Sequence, residues 1–135
     1  NILMENCGAT DSVCRMMYLK TNHRRGGFIH HVYMRNCHGT CAGRLFEIDT
    51  DVLYQWKDLV PTYETRITDI HDIFMENCNI KRTDAIYEIK GDARKPIRDI
   101  YLRNINVGTV HKFINKSSNT FNVVSENMHY DNTAF

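Results

Sequence analysis

One lysine stands where a strand would present it to a ligand. In "RMMYLKTNHRRGG", residues 15–27, Lys20 ends an alternating apolar run, and the turn after it carries Asn22, Arg24, Arg25 and the pair Gly26–Gly27. From Ser12 to Phe46 there is no Asp or Glu, yet Arg15, Lys20, His23, Arg24, Arg25, Arg35 and Arg44 all fall inside that interval. Cations without local acids form a wall that concentrates a polyanion near the surface. Period-two alternation sets Tyr18 and Lys20 on one face and Leu19 on the other, so the ammonium projects from a packed strand. The plainer reading of Arg24 and Arg25 is a solvated turn in which Gly26 and Gly27 supply positive φ.

Metal chemistry is the second possibility. The chain has seven histidines and five cysteines, with "HH" at 30–31 and "CHGTC" at 37–41. Cys37 and Cys41 have a spacing that structural zinc sites use. Two arguments stand against a site there. Cys37 shares a repeating position with Cys7 and Cys78, which packing explains, and an extended strand turns His30 and His31 to opposite faces. No metal and no cofactor are expected. The odd cysteine count excludes full pairing within one chain, and a Cys37–Cys41 disulfide stays open. Glu47, Asp49 and Glu88 should form a small outward acidic set that pairs with Lys20 and Lys90 across strands. Trp56 reads as a packed cap in preference to a sugar platform.

These residues are carried by short strands that repeat. "ILMENC" (2–7), "VYMRNC" (32–37), "IFMENC" (73–78), "IYLRNI" (100–105) and "VVSENM" (123–128) form one series. "MMYLKT" (16–21), "LFEIDT" (45–50), "IYEIKG" (86–91) and "KFINKS" (112–117) form a second. Apolar spacing of two and Asn, Gly, Asp and Thr punctuation exclude helices. Recurrence of one side chain at one place predicts an all-β, right-handed parallel β-helix of about five coils, a single domain over 1–135. Asn6, Asn36, Asn77, Asn104 and Asn127 should stack as an asparagine ladder, with Cys7, Cys37 and Cys78 beside it. Glu5, Arg35, Glu76, Arg103 and Glu126 should alternate in charge on the outside. Leu19, Ile48, Ile89 and Ile114 should share a core column. "DVLYQWKDLVPTYETR" is a side excursion. A net charge of +1 excludes a nucleic-acid binder that works by bulk charge, and no apolar run reaches membrane-spanning length.

Together, "RMMYLKTNHRRGGFIHHVYMRNC" and "KGDARKPIRDIYLRNINV" (90–107) resemble the polygalacturonase family, glycoside hydrolase family 28, whose members cleave pectin. The resemblance covers nearly the whole chain as the C-terminal part of a longer family member. It implies a parallel β-helix, inverting hydrolysis of galacturonan linkages without cofactor or metal, and work outside the cytoplasm, secreted or periplasmic. It matches Lys20 to the lysine that holds a substrate carboxylate. Tyr18 stands where an arginine is usual and would stack on a sugar, and Tyr54 is a weaker match for a subsite tyrosine. Asn22, Arg24 and Arg25 complete the implied substrate-binding set. The family's Asn-Thr-Asp, Asp-Asp and Gly-His-Gly motifs do not occur here and would precede Asn1, so no catalytic residue is expected in this chain. The implied partner is an acidic polysaccharide, not nucleic acid or membrane. An uncovered first coil should also promote self-association. A non-catalytic carbohydrate-binding or structural β-helix is the alternative.

Overall fold

The computed structural model describes residues 1–52 and 64–135. Tyr54, Trp56 and most of the excursion lie outside the described residues. Those that are described form an all-β structure of seven strands: β1 (Ile2–Glu5), β2 (Gly8–Lys20), β3 (Phe28–Arg35), β4 (His38–Asp49), β5 (Asp69–Lys90), β6 (Ile97–Ser118) and β7 (Thr120–Thr133). Every pairing between these strands is parallel, in one curled sheet. The long β5 is the seam. Its first half pairs with β3, its second half with β4, and both halves pair with β6.

The asparagine column is borne out. Glu5, Arg35, Glu76, Arg103 and Glu126 are in register, so the asparagine after each of them stacks too. All five asparagines have φ between 53 and 57, a left-handed bend that Asn tolerates better than most residues. The Asn104 amide donates to Asn77 Oδ1 at 3.1 Å, and the Asn127 amide donates to Asn104 Oδ1 at 2.7 Å. One bend residue thus shapes the backbone and ties adjacent strands.

Inside the curl, rows of apolar side chains lie one over another. Ile73 and Ile100 are in register, as are Met34, Met75 and Leu102, and all of them are buried. Truncating Leu102 to Ala would cost about 2–5 kcal/mol. Cys37 and Cys78 are buried in the adjacent row, and all five cysteines are free thiols. Burial pushes the Cys78 thiol up to about 11.

Outside, Tyr33, Phe74 and Tyr101 stack at 4.7 and 4.8 Å. Arg35 and Arg103 lie over Tyr33 and Tyr101, and Arg103 reaches Glu126 at 3.3 Å. The charged column therefore uses aromatic faces as well as opposite charges.

One register expectation fails. Ile89 is opposite Ser117, not Ile114: Ala85 pairs with Phe113 and Tyr87 with Asn115, so Ile114 lies level with Ile86, three residues before the position opposite Ile89. Ile114 consequently packs only at the edge of the core.

Candidate functional site

Strand β2 positions the first group of predicted residues. Tyr18 is half-buried and Lys20 exposed, in register with Glu47 and Asp49 of β4 and with Glu88 and Lys90 of β5. The Lys20 ammonium lies 5.6 Å from the Tyr18 ring centroid, and the Arg15 guanidinium lies 4.5 Å from the same centroid.

The basic stretch is not unanswered. Arg15 Nε donates to Glu47 Oε2 at 2.5 Å, Arg44 Nε donates to Glu88 Oε2 at 2.9 Å, and Lys90 lies 3.4 Å from Asp49. Hydrogen bonding to Glu47 raises the Arg15 pKa further. The expected cross-strand pairing of the acidic set with Lys90 is present, but Glu47, expected outward, is buried. Its side chain is 3% exposed and survives burial because a guanidinium meets it. An acid-free stretch of sequence meets its acids in the next strand over, with Arg15 and Arg44 as partners that were not expected.

The turn after Lys20 is built from its own polar groups. Asn22 is buried, and its Oδ1 accepts from the Arg24 amide at 3.0 Å, so this residue shapes the turn from within. Gly26 and Gly27 have φ of 63 and 69. The Gly26 amide donates to the Arg66 carbonyl at 2.7 Å, and an added Cβ at Gly26 would meet the Arg66 side chain at 3.0 Å. Glycine here permits both the conformation and the close approach. Thr68 Oγ1 donates to the Gly26 carbonyl at 2.9 Å, which fixes the turn against the start of β5.

Beside this turn is an open depression of about 560 Å³ lined by Gly26, Gly27, Arg66, Arg94 and Lys95, among others. Arg94 is fixed by a two-bond fork on Asp92, at 2.8 and 2.7 Å, which holds the Asp92 carboxyl well below the usual carboxylate range. His23 joins the same carboxylate at 3.2 Å. Cations from two separate stretches of chain, Arg66 and Arg94–Lys95, thus converge beside the Gly26–Gly27 turn.

A second constellation escaped the linear reading. His30 and His31 do not face opposite ways: His30 Nδ1 and His31 Nδ1 are 2.9 Å apart, because φ at His31 is 52 and breaks the alternation. His71 is in register with His30, their rings stacked at 4.9 Å. Burial, then His71 and His31, lower the His30 pKa. The 41-residue step that relates Asn36 to Asn77 also carries His30 and His31 onto His71 and Asp72, and that step was the available signal.

Compared with protein-family models and with curated proteins, the chain matches none. Among the described residues no helix is long and apolar enough to cross a membrane.

Proposed function

We propose that the chain is the C-terminal segment of a polygalacturonase-like glycoside hydrolase, and that its curled parallel sheet is part of a right-handed β-helix forming a substrate-binding wall. In this reading Lys20 holds a uronate carboxylate, Tyr18 contacts the sugar, and Arg24 and Arg25 attract the polymer. The whole protein would invert galacturonan linkages, with no metal or cofactor in that step, outside the cytoplasm, secreted or periplasmic. The two carboxyl groups that inversion needs would come from upstream.

The observation that carries this reading is the convergence of Arg66, Arg94 and Lys95 on the Gly26–Gly27 turn, directly after the strand that exposes Lys20. Arg66 and Arg94 carry partner acids, Glu64 at 3.0 Å and Asp92 at 2.7 Å, so a polyanion laid along that edge would meet partly compensated charges together with Lys95. The side chains of Ile2, Leu3 and Met4 are exposed on the edge strand β1. That edge is where a preceding strand of the full protein, or a second copy of this chain, would dock.

The second reading is a non-catalytic carbohydrate-binding β-helix. It draws on the engagement of the acids near Lys20: Glu47 with Arg15, Glu88 with Arg44, and Asp49 with Lys90.

Equilibrium binding of the 135-residue chain to polygalacturonate tests the wall. Lys20→Ala should weaken binding about ten-fold or more, as loss of a charge-assisted hydrogen bond does. Unchanged affinity in that variant would remove Lys20 from the site. Turnover of the polymer by this chain alone would show that the upstream carboxylates are not needed.

A further inference from the structure

Two left-handed bends, at His31 and Asp72, bring imidazole and carboxylate groups from β3 and β5 to one place. One donor atom from each of His31, His71 and Asp72 lies within 4.8 Å of the other two. We propose that these three residues bind a divalent transition-metal ion of the zinc type. This inference does not depend on the pectin reading.

Three observations support it. The donor set is right: two imidazoles and a carboxylate suit a borderline ion, and three protein ligands leave a further position for water or another ligand. The side chains are also accessible without being loose, with His71 19% and Asp72 30% exposed. Finally, the ring that must bind is held by its neighbours. His30 stacks on His71 at 4.9 Å, and Phe28 stacks on His30 at 4.7 Å.

A further carboxylate, that of Asp69, lies near the other ring nitrogen of His71 without hydrogen bonding to it. Asp69 Oδ2 is 3.9 Å from His71 Nε2, and Arg98 holds the same carboxylate at 2.6 Å. His71 Nδ1 and Asp72 Oδ2 are 2.6 Å apart, so ion binding replaces the proton these two atoms share.

Calorimetric titration of the 135-residue chain with Zn²⁺, and absorption spectroscopy with Co²⁺, test the assignment. One Zn²⁺ per chain is expected, and the Co²⁺ spectrum should lack a thiolate charge-transfer band, which excludes the five cysteines. His31→Asn and Asp72→Asn should each weaken Zn²⁺ binding ten-fold or more. Both variants place at the bend a residue that tolerates it, as Asn122 does at φ 54 in the same column. His111→Ala should leave binding unchanged. In the unmodified chain, Co²⁺ should shift the imidazole resonances of His31 and His71 in NMR spectra, a readout that needs no variant to fold. Failure to bind Zn²⁺ below millimolar concentration, a thiolate band, or undiminished binding in both Asn variants would overturn the site.

Discussion

At the bend that follows Glu5, Arg35, Glu76, Arg103 and Glu126, five strand rows use one residue type, Asn, with φ between 53 and 57. At the other bend, His31, Asp72, Asp99 and Asn122 hold φ between 52 and 59 with three residue types. The backbone demand is the same, and both columns meet it with residues enriched in the left-handed region. The side chains differ in what they do. The asparagines bond to one another along the column, whereas the mixed column sets imidazole and carboxylate groups beside β3 and β5. A bend of this kind restricts the menu to a few polar residues, and those same residues bind ions. Where the column is uniform it acts as scaffold, and where it varies it can carry chemistry.

The largest effect that would test this contrast is in the uniform column. Asn77→Val forces a β-branched residue to φ 54 and should cost about 1–3 kcal/mol in backbone strain. Loss of the amide bond to Asn104 should add about 0.5–1.5 kcal/mol. Asn77→Gly keeps the conformation and should lose only the second contribution. Urea unfolding of the two variants separates these effects, and equal losses would show that the bend is not strained.

A smaller effect belongs to the mixed column. The Asn122 amide donates to Asp99 Oδ1 at 2.7 Å. Asn122→Asp removes that donor and sets two carboxylates together, which should cost about 1 kcal/mol at pH 7. The penalty should shrink as pH falls and one carboxylate is protonated. A penalty that does not change with pH would mean that the loss is not electrostatic.

The smallest effect concerns Asp69, at the start of β5. Hydrogen bonding to Arg98 lowers its pKa, so the folded state keeps it ionised where the unfolded chain, with a value of about 3.9, takes up a proton. The stability this adds is complete above about pH 4 and is lost as pH falls through the folded-state value. Because both side chains are about a third exposed, the contribution should stay under about 1 kcal/mol. Asp69→Asn should therefore lower the urea midpoint at pH 7 and not at pH 2, and an equal loss at both would point to packing instead.

Much of this was legible because stacking repeats local patterns. "MENC", "MRNC" and "MENC" place Met, Asn and Cys at fixed offsets, and the three bends follow from them, as do the inner Met34 and Met75 and the buried Cys37 and Cys78, whereas Met4 in the edge strand and Cys7 just after it are exposed. The register of the fourth member of the second series was not legible: the pairing of β6 with β5, with an extra β6 residue between Val110 and Phe113, sets Ser117 opposite Ile89 and Ile114 level with Ile86. Nor was the true face of His31, because alternation fails at positive φ and the sequence marks His far less clearly than Asn as left-handed. The charge balance around Lys20 was hidden for a different reason, since Glu47 and Glu88 reach Arg15 and Arg44 across strands.

The sequence by itself determined strand identity, the repeat that sets adjacent register, and the residues able to bend the chain, all of which depend on interactions within a few residues. Which cations are neutralised and which imidazoles meet a carboxylate was decided by the tertiary structure. The pairings of Arg15 with Glu47, Arg44 with Glu88 and Lys90 with Asp49 join residues 32 to 44 positions apart, and only parallel stacking of the strands brings such distant groups within bonding distance.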